Sequence, residues 1–407
     1  MLRVQIPHDR SPSTTTVALA GLFSLAVAMG IGRFAFTPLL PVMLAEGVVD
    51  LPGATWLATA NYIGYLLGAL MCSAQPLLWA RWGRPPLDAA RCVRGGLAAT
   101  VLLTLGMALP VPALWPLLRF LAGVGSAVVF VYTSGWCLGR LTAMGSPSKT
   151  GVIYMGPGAG IAVSGLLVSA MVLAGGSAAV GWAVFAALAA VLTAVVWPTV
   201  RGAADHRTAA PAAAGRFTAE KLWFVLAYGL SGFGYIITAT FLPVIARETL
   251  PPSFWLGLFW PILGVGVMAG ALAATRLPRR VDFRDALAGC YVVQAVGVVL
   301  GVWVPGLASF AVGSLLVGLP FTAISFFGMQ EARRLSPVAP AGLMGLCTAV
   351  YGLGQIAGPP LAAWLVHGSA SRAAGFARAL EAAAASLVLG AVIHLVLARV
   401  WPRPAVQ

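Results

Sequence analysis

Gly30-Ile31-Gly32-Arg33-Phe34-Ala35-Phe36-Thr37-Pro38-Leu39-Leu40-Pro41 lies inside an apolar run from about Val17 to Leu44, long enough at helical rise to cross a bilayer. Arg33 is therefore set at membrane depth. A cation there is costly unless it faces a protein interior or a watery cavity, so its default reading is a functional group. Two glycines before it and Pro38 and Pro41 after it predict a closely packed, bent helix. The pattern returns 202 residues later, where Gly232-Phe233-Gly234-Tyr235 through Leu242-Pro243-Val244 aligns with Gly30-Ile31-Gly32-Arg33 through Leu40-Pro41-Val42. Glu248 stands where Glu46 does, and Tyr235 takes the place of Arg33.

Around this stretch the chain is 60% hydrophobic and 9% charged, with a mean hydropathy of +0.92. Soluble chains carry about a quarter charged residues, so this composition specifies an integral membrane protein. The first apolar run is too long for a signal-peptide core and lacks a small-residue cleavage site, and reads as a retained span. A net charge of +14 would suit nucleic acid, yet the basic residues sit in short loops between apolar runs, which favours a membrane setting and no nucleic-acid partner. Cys72, Cys92, Cys137, Cys290 and Cys347 show no C-x-x-C spacing and there is no His cluster, so neither disulfides nor a metal or other cofactor is expected.

Hydropathy divides the chain into twelve predicted spans at about 17–44, 54–78, 91–110, 113–139, 151–174, 179–198, 221–246, 254–275, 286–304, 306–332, 341–366 and 376–399. Pro110-Val111-Pro112 and Pro305-Gly306 predict tight hairpins between neighbours. All Lys and Arg outside the spans fall on one side of this topology except Arg247, Arg372 and Arg378, so the positive-inside rule puts both termini in the cytoplasm. The small, polar stretch 199–220 reads as a cytoplasmic linker between residues 1–198 and 221–407. Gly64-x-x-x-Gly68 recurs as Gly266-x-x-x-Gly270, and Gly158-x-Gly160 as Gly352-x-Gly354. Six spans per half make the repeat parallel, which predicts two pseudo-symmetric six-helix bundles about an axis along the membrane normal. Most such glycine pairs serve only helix packing.

Three further stretches carry a resemblance. Arg119-Phe120-Leu121-Ala122-Gly123-Val124-Gly125 in the fourth span is similar to the R-x-x-x-G-x-G signature of the major facilitator superfamily. Arg81-Trp82-Gly83-Arg84 resembles its D-R-x-G-R loop motif, with Ala80 where the acid would stand, and Gly354-Gln355-Ile356-Ala357-Gly358-Pro359 is similar to its G-x-x-x-G-P motif, displaced to the eleventh span. The opening stretch resembles the YbfB/YjiJ-type branch. The resemblance implies a multi-pass secondary transporter of the bacterial inner membrane, acting on a small molecule by alternating access, and implies that spans 1, 2, 4, 5, 7, 8, 10 and 11 line its cavity. It supplies no substrate.

On those spans the polar candidates for substrate contact are Arg33, Arg119, Tyr62, Tyr132, Tyr154, Tyr235, Tyr351 and Gln355, each of which would serve equally as a helix-to-helix hydrogen bond. Arg81, Gly83, Arg84, Pro38, Pro41, Pro243, Gly358 and Pro359 are candidates for gating, and Glu331, beside Arg333 and Arg334, is the nearest candidate for coupling, with a local ion pair as its plain alternative. Trp115, Trp182, Trp197, Trp223, Trp303 and Trp401 are expected to anchor span ends at the interface, and His394 is expected to be structural. Two guanidinium groups in the periplasmic half of the membrane with no acid at that depth suit an anionic substrate, with Arg33 as anchor and Tyr235 as its partner from the other half. Capping of backbone carbonyls freed by Gly30, Gly32 and the prolines is the competing role for Arg33. The chain is expected to be a monomer in lipid, with a proton or second anion as a possible co-substrate. Export of a neutral or cationic drug-like compound and a non-transporting sensor or scaffold are the alternatives. An enzyme is disfavoured, because no paired carboxylates or nucleophile–base spacing occur in the spans.

Overall fold

A computed structural model describes residues 12–85, 87–202, 217–276, 281–337 and 340–403 of the 407-residue chain. Twelve helices are long and apolar enough to cross a membrane. Span 1 is Thr14–Ala45, span 2 Leu51–Arg81, span 3 Ala89–Gly106, span 4 Pro112–Ala143, span 5 Thr150–Leu173 and span 6 Ala178–Val196. Span 7 is Ala219–Thr249, span 8 Phe254–Ala274, span 9 Phe283–Trp303, span 10 Leu307–Leu335, span 11 Pro340–His367 and span 12 Arg372–Val400. Several run beyond their hydropathy limits, because a helix continues past the apolar core until a cap or a proline stops it. Ser13, Asp50, Asp88, Ser177, Thr218, Asp282 and Ser371 supply side-chain caps at seven starts. With an even number of spans, both ends of the described chain lie on one face, called here the terminal face, opposite the distal face. The linker segment 203–216, and Arg3, Arg10, Arg207, Arg216, Arg279 and Arg280, lie outside the described residues.

The repeated glycines are the crossing points of the two bundles. A methyl group at Gly64 or Gly68 would meet the backbone of span 4 at Phe120 and Val124, and one at Gly266 or Gly270 would meet span 10 at Leu315 and Leu319. Gly30 lies against Gly160 where spans 1 and 5 cross, and Gly232 and Gly354 mark the same crossing of spans 7 and 11. The first glycine of each Gly-x-Gly turns outward: Gly158 faces Gly264 and Met268 of the second half, and Gly352 faces Leu66 of the first. One short motif thus sets both the packing within a half and the seam between halves.

The caps of the repeat also correspond. Glu46, at the end of span 1, accepts the backbone N–H of Ala178 at the start of span 6 (2.8 Å), and Glu248, ending span 7, pairs with Arg372 at the start of span 12 (3.4 Å). Not every tryptophan is an interfacial anchor. Trp303 is 67% exposed, but Trp115 and Trp182 are buried. Trp115 turns inward to donate its indole N–H to the Leu109 carbonyl (3.2 Å), and Trp182 packs edge-on against Phe185.

Gly64→Ala and Gly270→Ala are each expected to lower stability in detergent by about 1–3 kcal/mol, since backbone rather than a movable side chain blocks the added methyl group. Gly139, with open space around it, is the control: Gly139→Ala should leave the melting temperature unchanged or raise it slightly, because alanine favours helix.

Candidate functional site

Span 1 does not cross the membrane as one α-helix. It runs as α-helix over Thr14–Leu25, widens into a π-helical stretch over Ala26–Ile31, breaks at residues 32–35 and resumes over Phe36–Ala45. The shift is visible in the backbone hydrogen bonds, where Gly32 and Phe34 reach back five residues to Val27 and Met29. A break inside a bilayer frees carbonyls that lipid cannot satisfy. Two side chains take three of them. Ser126 Oγ donates to Ala28 O (2.6 Å), and Arg119 donates through Nη1 to Gly32 O (3.1 Å) and through Nη2 to Arg33 O (2.9 Å). Asn61 on span 2 donates to the Arg119 carbonyl (2.9 Å) and ties that helix to the same point.

The carbonyl-capping role thus falls to Arg119, not to Arg33. Of the two guanidinium groups expected at a substrate, the Arg119 fork is already held by backbone carbonyls. Arg33 is only 3% exposed. Its Nη2 donates across the seam to Gln355 Oε1 on span 11 (2.6 Å), and its Nε has no partner. The Gln355 amide in turn donates to the Tyr235 hydroxyl (2.5 Å), so the arginine and its repeat mate are joined through one side chain.

The walls are aromatic. The Arg33 guanidinium carbon lies 4.1 Å from the Tyr65 ring centre, 5.3 Å from Tyr62 and 5.2 Å from Phe34. From the second half, Tyr235 stacks on Tyr351 (5.9 Å), which meets Tyr228 (5.3 Å), and Phe321 stands edge-on to Tyr235 (5.0 Å). Two more hydrogen bonds close the seam, from Thr37 Oγ1 to Ala239 O (2.8 Å) and between the Tyr62 and Thr240 hydroxyls (2.8 Å). Thr37 and Ala239 are repeat mates, so they meet on the pseudo-two-fold axis.

Arg33, Tyr62, Tyr235, Tyr351 and Gln355 are therefore brought together, with Arg119 directly behind. Tyr132 and Tyr154 have other partners: Tyr132 donates to Gln75 Oε1 (3.3 Å), and Tyr154 packs on Phe130 (6.2 Å). Phe34, Phe321 and Thr240 are wall residues that sequence reasoning passed over, since nothing in an apolar or helix-bonded residue marks it as facing a site. Tyr65 is legible in the sequence as a polar group on a cavity-side span, one helical turn from Tyr62 on the same face. Pro38 and Pro243 line a separate cavity near the distal face, and Pro41, Gly358 and Pro359 are buried in helices beside the seam, with Gly358 packed against Ile236.

The remaining candidates lie on the terminal face. Gly83 has φ +62° and ends span 2, with Arg84 N–H bonded back to Trp79 O (2.9 Å), which is a helix C-cap that favours glycine. Arg81 and Arg84 are exposed and belong to no ion pair among the described residues. Glu331 is fully buried and paired with Arg334 (2.7 Å), Arg403 (2.9 Å) and Arg284 (3.7 Å). Glu220 and Asp282 complete a network of three acids and three arginines beneath the second half. Arg333, expected beside Glu331, is exposed instead. Burial acts to raise the Asp282 carboxyl, but hydrogen bonds from Arg284 and the charges of Arg403 and Arg284 outweigh it and hold its pKa below the usual carboxylate range. Its contribution to stability is therefore complete above that range, near pH 4, and is lost as pH falls through the depressed value. His394 is buried, edge-on to Phe224 and Tyr291, and neither ring nitrogen has a hydrogen-bond partner.

The family model described as uncharacterised MFS-type transporter YbfB matches residues 25–395. No curated protein matches the chain in sequence. Among solved structures it is similar to a single-residue variant of the nucleoside transporter NupG, with a TM-score of 0.72 and 16% identity over 94% of this chain and 99% of that one. A second NupG structure gives 0.67 and 15% over 94% and 98%. At this identity the likeness is one of fold.

Arg119→Ala should destabilise the protein by about 1–3 kcal/mol for each of the two carbonyls it leaves unpaired, a loss read in thermal unfolding. Arg33→Ala, whose removal strands no backbone group, should cost distinctly less. Glu331→Gln leaves three clustered arginines against two acids and should cost about 3–5 kcal/mol, as for other broken buried pairs.

Proposed function

The chain belongs to the family of MFS-type transporters described by YbfB, and on that premise we propose that it carries a small organic anion across the membrane by alternating access, with Arg33 as the principal anchor. The observation that carries this reading is a buried guanidinium at the seam of the two halves that belongs to no ion pair among the described residues. Magnitudes decide the point. Burying an ion costs several kcal/mol after relaxation, whereas a cation–π contact such as that with Tyr65 returns about 0.5–2 kcal/mol and a hydrogen bond to a charged group about 1.5–3 kcal/mol. A carboxylate, phosphate or sulfonate would complete the balance and fit the guanidinium fork bidentately. Gln355 Oε1 then holds the place of a substrate oxygen, and the Tyr235 hydroxyl is the contact from the second half.

Residues 1–198 and 221–407 would rock against each other about this point as a monomer in the bacterial inner membrane, with the 199–220 linker and both termini in the cytoplasm, as the distribution of Lys and Arg favours. The paired state of Glu331 favours a structural over a coupling role, so flux driven by the anion gradient, by exchange or by a substrate-borne proton fits better than a carboxylate relay. A second reading has one observation in its favour. The tyrosine stack with the Gln355 amide would also suit a nucleobase, and the similar solved structures are of a nucleoside transporter.

Thermal-shift and calorimetric titration with carboxylates, organophosphates, sulfonates and a nucleoside separate the two. An anion should stabilise the wild type, and both Arg33→Ala and Arg33→Lys should weaken its binding tenfold or more while remaining folded, because lysine lacks the fork. Wild-type affinity in either variant removes Arg33 from the site, and stabilisation by the nucleoside alone transfers the reading to a neutral solute.

A further inference from the structure

A cavity of about 350 Å3 lies between the halves at the distal ends of the spans, apart from the Arg33 site. Its walls include Pro38 and Val168 from the first half and Pro243, Arg247, Phe254 and Trp260 from the second. The volume is at the lower end of the range for small-molecule sites, about 300–1,000 Å3. Phe254 and Leu173, at its margin, are exposed, so the space is not sealed inside the protein.

Arg247 is the one charged residue among those described as lining this cavity. Arg247 is exposed and has no hydrogen bond or ion pair among the described residues, and the neighbouring carboxylate of Glu248 is held by Arg372. The indole Nε1–H of Trp260, itself 1% exposed, is buried without a partner. No carboxylate lines the space, and the rest of the wall is chiefly proline, valine, leucine and aromatic carbon. We infer that this cavity is an outer binding site for a small monoanion with an apolar body, of the aromatic-carboxylate type. One cation sets the charge, and the apolar wall sets the shape.

The outer site is divided from Arg33 by an aromatic partition. Trp260 stands edge-on to Phe34 (6.3 Å), Phe34 to Phe321 (6.0 Å), and the Arg33 guanidinium carbon lies 5.2 Å from the Phe34 ring centre. Thr37 to Ala239 and Ser169 Oγ to Gly257 O (3.2 Å) fasten the halves on either side. Since Phe34 belongs to the first half and Trp260 to the second, parting the halves at this face separates the partition and opens one site onto the other. That passage rests on the reading of Arg33 as an anion anchor. The outer site does not.

Ser253, a cavity residue whose hydroxyl only caps Trp255 N–H, permits a local test. In purified Ser253→Cys protein, benzoate should slow maleimide labelling of the new thiol several-fold over the wild-type blank, which reports the native cysteines. Adding Arg247→Gln should abolish this protection, Arg247→Lys should keep part of it, and Arg33→Gln should leave it intact. Absence of protection with Arg247 present, protection that survives Arg247→Gln, or a thiol that never labels would each overturn the inference. Loss of protection in Arg33→Gln would also overturn it, because benzoate would then be acting from the central site. Failure of the central reading is scored separately, by anion affinity in the Arg33 variants.

Discussion

A helix that breaks within a bilayer must hand its freed carbonyls to protein donors, and the clamp of Arg119 on Gly32 and Arg33 is the contact on which the rest of this structure depends. The guanidinium is suited to it because one planar fork reaches two carbonyls and stays charged throughout. Once the break is held, the Arg33 side chain is free to leave its own helix. It crosses the seam, meets Gln355, and carries a buried charge to the place where the two halves touch.

The halves are alike in packing and unlike in polarity. Gly123 lies against the backbone of span 2 at Asn61 and Tyr65, and Gly318 lies against span 8 at the equivalent Leu263 and Val267. One turn before these glycines stand Arg119 and Ser314. Span 7, with leucine and serine in those places, has no clamp and runs as a continuous α-helix over Ala219–Thr249. The polar apparatus therefore belongs to the first half, where the helix is broken. The second half contributes tyrosines and one amide at the seam, and its terminal end is held by the network around Glu331. A duplicated frame has been kept for packing while its two copies took different work. Arg33 brings its charge from the first half to the amide and tyrosine of the second.

Phe34, beside Arg33, packs edge-on against Trp260, which lines the distal cavity together with Arg247. The rings have no hydrogen-bond demand of their own apart from one indole N–H. The hydrogen bonds that accompany this contact use hydroxyls. Thr240 also donates to Ile236 O within its own helix (2.7 Å), so in the bond across the seam Tyr62 is the donor.

Hydrophobic run length and the 202-residue repeat were enough to give twelve spans and two parallel halves, because the bilayer imposes length, polarity and backbone satisfaction on every crossing, while the family was legible only through the resemblance of short motifs such as Arg119–Gly125. Arg33 was conspicuous for the same reason: a charge at that depth has no bland place to go. The sequence could not divide the work between Arg33 and Arg119, which look alike in a hydropathy plot, nor tell that Tyr235 and Gln355 meet Arg33 while Tyr132 and Tyr154 do not. Those outcomes turn on which carbonyls a local break in span 1 sets free and on which donor stands within about 3 Å of them. Only the tertiary structure decides this, since the break, the clamp and the seam come from five different spans whose approach is set by glycines against backbone.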